Sequence, residues 1–139
     1  MADSIRVVLG FDYGTKRIGV AVGNAITATA SPLPVLKAMD GAPKWKQVTL
    51  LIADWKPDAL VVGLPLHDDG SDSHSTKGAR RFGNRLNGRY NLPVFWTNER
   101  LSSHQAGLTQ KEDNKIYGDV GLDSLAAKLI VESWLRDGQ

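Results

Sequence analysis

Three carboxylates in this sequence stand at positions where packing alone gives no reason for them. Asp12 ends the apolar run that begins at Val7, and Tyr13-Gly14-Thr15-Lys16 supplies turn chemistry directly after it, with Gly14 free to adopt a positive φ. Arg17 to Val22 then reads as a second strand running back antiparallel. Alternation along a strand puts Val7, Leu9 and Phe11 on one face and Val8, Gly10 and Asp12 on the other. Gly10 and Gly19 leave room for something to approach the sheet closely. One acid thus sits at the mouth of a hairpin beside the cations Lys16 and Arg17, which suits either a metal ligand facing a phosphate or an aspartate capping a turn. Glu99 follows the last predicted strand, in Asn98-Glu99-Arg100. Asp123 falls in the first turn of the last predicted helix, where an acid also complements the helix dipole. If the first and last strands lie near one another, all three acids converge at one sheet edge. Hard divalent cations take such oxygen ligands, and Mg²⁺ keeps waters and draws its remaining ligands from substrate phosphate.

A second pattern is cationic. Lys77, Arg81, Arg85 and Arg89 recur at i, i+4 steps in a predicted helix, Thr76 to Tyr90, and no acid occurs between Ser73 and Asn98. Like charges stacked in this way cost helix stability. The stripe reads either as a solvated face or as a track for an anionic partner. The loop His67 to Ser75 holds two histidines and three aspartates without metal-site spacing and reads as solvated.

The elements that must position these groups follow in order. After the hairpin, Asn24 to Pro34 predicts an edge-like third strand stopped by Pro32 and Pro34. Lys37 to Gly41 reads as a connector, and Pro43 to Trp55 as a helix with Pro43 in its first turn. Trp45, Val48, Leu51, Ile52 and Trp55 share one face of that helix, the tryptophans as packing groups rather than a stacking platform. Ala59 to Leu64 is continuously apolar and predicts a mid-sheet strand buried on both faces. Leu92 to Thr97 predicts the last strand. Ser102 and Gln105 match a capping box for a helix reaching about Lys111, and Glu112 to Gly121 reads as a polar loop. Leu122 to Arg136 predicts the final helix, with Leu122, Leu125, Ala126, Leu129, Ile130 and Trp134 turned inward. The order β-β-β-α-β-α-β-α-α implies an α/β fold, a mixed five-stranded sheet with helices on its faces.

The 139 residues suffice for one domain, taken as residues 1–139. The absence of cysteine excludes disulfides, thiolate metal sites and cysteine nucleophiles. No apolar run approaches the ~20 residues of a membrane span, and no signal peptide is legible, so the expectation is a cytoplasmic protein with no membrane partner. The net charge of +2 is small, so the distribution of charge carries more information than its sum.

Four segments in one order resemble the YqgF/RuvX family, Holliday junction resolvase-like proteins also described as pre-16S ribosomal RNA nucleases of bacteria. They are Phe11-Asp12-Tyr13-Gly14-Thr15-Lys16-Arg17-Ile18-Gly19-Val20-Ala21, Val61-Val62-Gly63-Leu64-Pro65-Leu66, Asn98-Glu99-Arg100-Leu101-Ser102-Ser103 and Asp123-Ser124-Leu125-Ala126-Ala127. The resemblance implies a ribonuclease H-like fold and carries the family's acidic triad onto Asp12, Glu99 and Asp123 as catalytic, metal-holding residues. It further implies Mg²⁺ or Mn²⁺ as cofactor, and a two-metal hydrolysis with ions roughly 3.5–4 Å apart. Asn98 stands where many relatives carry an acid, and Val120 stands where junction resolvases place a fourth metal-binding residue. The expected substrate is RNA, a 16S rRNA precursor matured at its 5′ end. Lys16 and Arg17 are expected to hold the scissile phosphate, and Lys77, Arg81 and Arg85 to track the strand without reading sequence.

Three other readings remain open at this stage. A junction resolvase cutting structured DNA would act as a homodimer with two active sites, whereas the RNA reading allows a monomer or a homodimer. A non-catalytic nucleic-acid-binding module of the same fold would have no use for three placed acids. Asp-Tyr-Gly-Thr also resembles the first phosphate loop of actin-like ATPases and sugar kinases, whose second phosphate loop and adenosine motif the sequence lacks.

Overall fold

The structure, a computed structural model, describes residues 5–64, 74–98 and 121–137. Glu99, most of the His67–Ser75 loop, the expected helix from Ser102 to Lys111, Val120 and nearly all of the Glu112–Gly121 loop lie outside the described residues.

The strands are β1 (Val7–Asp12), β2 (Arg17–Asn24), β3 (Thr29–Met39), β4 (Ala42–Pro43), β5 (Ala59–Leu64) and β6 (Val94–Asn98). The helices are α1 (Trp45–Trp55), α2 (His74–Tyr90) and α3 (Gly121–Arg136). The sheet is mixed and six-stranded, in the order β4-β3-β2-β1-β5-β6, with β1, β5 and β6 mutually parallel. β1 and β2 form the expected hairpin, with Leu9 opposite Val22 and Asp12 opposite Gly19. β5 is buried along its whole length between β1 and β6, as its unbroken apolar run requires.

The sheet differs from the expectation at its β3 side. β3 runs through Pro32 and Pro34 to Met39, taking in Lys37 to Met39 of the expected connector, and a two-residue β4 adds a sixth strand. Between Thr29 and Lys37, β3 pairs only with β2, so each proline's missing N–H falls where a ladder bond on the outer side is not needed. Pro43 pairs with Ala38 in β4, and α1 begins at Trp45 rather than at the proline. His74 already belongs to α2. Gly14 does not have a positive φ; its use is different, because a Cβ there would run into the Arg17 carbonyl oxygen across the turn.

Two cores flank the sheet. On one face Leu9, Phe11, Ile18, Val20, Leu60 and Val62 pack against Val48 of α1 and Ala79, Phe82 and Leu86 of α2. Phe82 meets Phe11 edge-on at 5.4 Å, Tyr13 at 5.6 Å and Trp45 at 5.9 Å, and such aromatic pairs each add about 0.5–1.5 kcal/mol beyond their buried area. Trp45 is thus a packing group, as expected, and it also carries the Arg89 guanidinium 4.2 Å above its ring.

On the other face α3 is the one helix among the described residues, and it lies over Val8, Ala21 and Val61. Its buried stripe is Ser124, Leu125, Ala126, Ala127, Ile130, Val131, Trp134 and Leu135. The expected stripe is therefore rotated: Leu122 is 37% exposed and Leu129 only partly buried. The sheet itself explains the rotation. β1 and β2 offer Gly10, Gly19 and Gly23 on this face, so the helix sets Val131 and its Asp123 backbone into the space they leave and settles close. A Cβ at Gly10 would meet the Val131 side chain. Gly10→Ala should therefore cost about 1–3 kcal/mol. Because the obstacle is a side chain, urea denaturation of Gly10→Ala/Val131→Ala should show a smaller loss than the two single losses summed, by about 1 kcal/mol or more. At the opposite end of β1, Asp58 accepts the Arg6 and Val7 N–H groups at 2.8 and 3.0 Å, which fixes the start of the strand that delivers Asp12.

Candidate active site

Asp12 reaches the site because β1 ends there. Its neighbours across the sheet are Gly19 on β2 and Gly63 on β5, so no side chain stands beside it on either strand. The residue after it, Tyr13, packs on Phe82, and a Cβ at Gly78 or Gly41 would collide with its ring or hydroxyl. The turn is therefore gripped from α2 and from the β3–β4 connection, and the direction of Asp12 is set by packing rather than by loop chemistry.

Asp123 arrives from the other end of the chain. Gly19 is the contact point, since a Cβ there would overlap the Asp123 carbonyl group and crowd the Ser124 nitrogen. At the same place the β2–β3 register slips between Ile18 and Val20. The Val20 N–H donates to the Ser124 Oγ at 3.1 Å, and Ser124 is fully buried. One hydrogen bond and one backbone contact thus fasten the first turn of α3 to β2 and present Asp123 beside Asp12. Sequence reasoning passed over Ser124; its signal was a small polar residue in register with Ala127 and Val131 on a helix facing glycines.

The electrostatics follow from this placement. Burial first, and the Asp123 carboxylate second, push the Asp12 carboxyl up from 3.8 to about 7. Arg17, which shares the strand face of Gly19, brings its Nε to 3.2 Å from an Asp123 carboxylate oxygen. Lys16, in the turn, accepts the Ala38 N–H on its carbonyl oxygen and is exposed.

β6 ends at Asn98, opposite Leu64 at the same edge and two strands from β1. Glu99 itself lies outside the described residues. The first and last strands are not adjacent; both flank β5, and their parallel direction brings their C-terminal ends to one edge.

The basic stripe reaches this edge from the opposite face. Gly78 packs on Tyr13, which places neighbouring Lys77 near the turn after Asp12. The stripe then runs away along α2, Lys77 to Arg89 spanning about 18 Å at 1.5 Å per residue. Lys77, Arg81, Arg85 and Arg89 are all exposed, but Arg89 is spent on Trp45, and Tyr90 shares a 2.9 Å hydrogen bond with Thr49 of α1.

The donor chemistry fits a hard divalent cation. Asp12 is driven toward its protonated form by burial and by the nearby Asp123 charge, a conflict that a bound cation would relieve. Among the described residues no group of three His, Cys, Asp or Glu converges, so a third protein donor would have to come from outside them.

Comparison with known proteins gives this geometry a lineage. Relatives named "Putative pre-16S rRNA nuclease" are 52% identical over 136 residues in Pseudomonas aeruginosa, covering 96% of this chain and 94% of the relative. They are 50% identical over 135 residues in Nitrosococcus oceani, covering 96% and 89%. Among solved structures, Thermus thermophilus RuvC bound to a Holliday junction aligns with a TM-score of 0.59 at 19% identity over 96% of this chain and 97% of that one. The Fowlpox virus resolvase with junction DNA aligns at 0.57 and 14% identity, over 94% and 97%. At these identities the two structures share the fold, the ribonuclease H-like arrangement expected of the sequence. The model of the RuvX family, described as Holliday junction resolvase, matches residues 6–137, from the strand that carries Asp12 to the end of the helix that carries Asp123, and this chain belongs to that family.

Proposed function

We propose that the protein is a metal-dependent nuclease that hydrolyses phosphodiester bonds in the maturation of the 5′ end of pre-16S ribosomal RNA. The observation that carries the reading is the pairing of Asp12 and Asp123, drawn from opposite ends of the chain to one sheet edge, where burial first and the Asp123 charge second raise the Asp12 carboxyl. The names of the half-identical relatives supply the substrate. Asp12, Asp123 and Glu99 would hold Mg²⁺ or Mn²⁺, which when bound supplies an activated water and stabilises the leaving oxygen. The protein's own part is to fix two of these carboxylates through Gly19, Ser124 and the Tyr13 packing, and to surround the edge with cations. No helix among the described residues is long and apolar enough to cross a membrane. A cytoplasmic location follows from the rRNA reading.

Arg17, ion-paired with Asp123, and the exposed Lys16 of the neighbouring turn would hold a scissile phosphate, and the exposed Lys77, Arg81 and Arg85 would extend the cationic surface for the strand. Replacing Lys77, Arg81 and Arg85 together by glutamine should weaken RNA binding without lowering the single-turnover rate at saturating enzyme. Filter binding across a salt series should show the log–log slope shallower by about 2 for three lost single-strand contacts. An unchanged slope would remove the stripe from the interface.

The test of substrate class is a side-by-side assay of an RNA spanning the 16S precursor 5′ end and a four-way DNA junction, in Mg²⁺ and in Mn²⁺, with gel filtration of the protein. The expected result is cleavage of the RNA and an intact junction. Symmetric junction cutting by a dimer would instead establish a resolvase.

A further inference from the structure

Arg17 is placed as a counter-ion rather than as a strut. Its guanidinium meets Asp123 at 3.2 Å, yet the two side chains are 68% and 36% exposed, and exposed ion pairs contribute little to stability. Asp123 does not depend on Arg17 for its position. The Gly19 backbone contact and the Val20–Ser124 hydrogen bond already hold the first turn of α3, both buried and both independent of the Arg17 side chain.

The place of Arg17 is nonetheless specific. It is two residues before Gly19 on β2, hence on the same strand face, and Gly19 is the residue opposite Asp12. It is therefore a cation just beyond the carboxylate pair, on the face of the sheet that α3 occupies. A fixed positive charge there, on the very carboxylate a divalent cation needs, competes with that cation. The same guanidinium has five donors in a fork that matches a phosphate.

We propose that Arg17 is an exchangeable counter-ion, bound to Asp123 while the carboxylates hold no divalent cation and transferred to a backbone phosphate of the nucleic acid once a cation takes Asp123. This inference rests on the nuclease reading, and it assigns that site an order of events. Cation binding releases the guanidinium, and the released guanidinium then favours substrate. Metal and nucleic acid consequently bind with positive coupling through a single side chain.

The test uses Arg17→Gln and Arg17→Lys in the full chain, with Mn²⁺ as the metal probe and a short labelled RNA as the phosphate probe. Calorimetric titration of Mn²⁺ without RNA should show Arg17→Gln binding the metal about threefold or more tightly than wild type, because the competing charge is gone. In Ca²⁺ the same variant should lose RNA affinity about tenfold, and in chelator it should bind RNA nearly as wild type does, since there Asp123 occupies the guanidinium. Arg17→Lys should restore part of the RNA affinity. Mn²⁺ binding that is unchanged or weakened in Arg17→Gln, or an RNA loss of equal size in Ca²⁺ and in chelator, overturns the exchange while leaving the nuclease reading intact. Wild-type protein that neither binds Mn²⁺ nor cleaves RNA overturns both.

Discussion

Replacing Asp12 by asparagine will abolish hydrolysis and at the same time stabilise the metal-free protein at neutral and alkaline pH. The two effects have one cause. The Asp12 carboxyl is held up to about 7 by burial and by Asp123, so the fold tolerates its charge poorly. A carboxyl whose folded pKa lies above its unfolded 3.8 contributes stability that is fully present below pH 3.8 and is lost as pH rises through about 7. Asparagine carries no charge at any of these pH values. In chelator, the melting temperature of Asp12→Asn should therefore exceed that of wild type at pH 8, with the difference shrinking toward pH 5. Adding Mn²⁺ at pH 8 should raise the wild-type value and leave the variant nearly unmoved. The catalytic loss should be at least about a thousandfold, or roughly 4 kcal/mol of barrier at 1.36 kcal/mol per tenfold. A variant less stable than wild type at pH 8 would show that Asp12 serves the fold and not the site.

The largest effect on stability should come from Gly19. A Cβ there overlaps the carbonyl group of Asp123 and crowds the Ser124 nitrogen, all backbone atoms of α3. No rotamer change relieves a clash with backbone. The helix must lift from β2, and the Val20–Ser124 hydrogen bond, buried at 3.1 Å, stretches or breaks with it. Overpacking alone costs about 1–3 kcal/mol, and an orphaned buried N–H adds about 1–3 kcal/mol. Gly19→Ala should therefore lose about 3 kcal/mol or more in urea denaturation. Unlike Gly10→Ala, it should not be rescued by trimming Val131. Whatever fraction remains folded should also cleave poorly, since Asp123 moves with the helix. A near-neutral Gly19→Ala would mean that α3 sits farther from the sheet than this contact requires.

Much of this arrangement is legible in the amino-acid sequence. The hairpin of β1 and β2, the face shared by Val8, Gly10 and Asp12, and the central place of β5 all follow from apolar periodicity, because burial on one or both faces dictates those patterns. What approaches Gly10 and Gly19 is less legible: small residues advertise a close neighbour without naming it, and the neighbour is α3.

 The same pattern explains why the inward stripe of that helix turned out to favour Ala127 and Val131 over Leu122 and Leu129. The continuation of β3 through Pro32 and Pro34 was not legible, because whether a proline stops a strand depends on which of its sides is paired. The ion pair of Arg17 with Asp123 was also beyond the sequence, which marks both residues as chemically capable but holds no record of a contact between opposite ends of the chain. We propose Glu99 as the third carboxylate from the sequence resemblance and from the end of β6 at Asn98, at the edge where Asp12 lies.

In the proposed function Asp12 and Asp123 form a cation-dependent hydrolytic site for RNA. The most direct measurement is single-turnover cleavage of a labelled RNA spanning the 16S precursor 5′ end, by wild type and Asp12→Asn, in Mg²⁺, in Mn²⁺ and in chelator. Wild type should cut with either metal and not in chelator, and the variant should cut under no condition although it still binds the RNA. Cutting that survives chelation, or that Asp12→Asn retains, would contradict it.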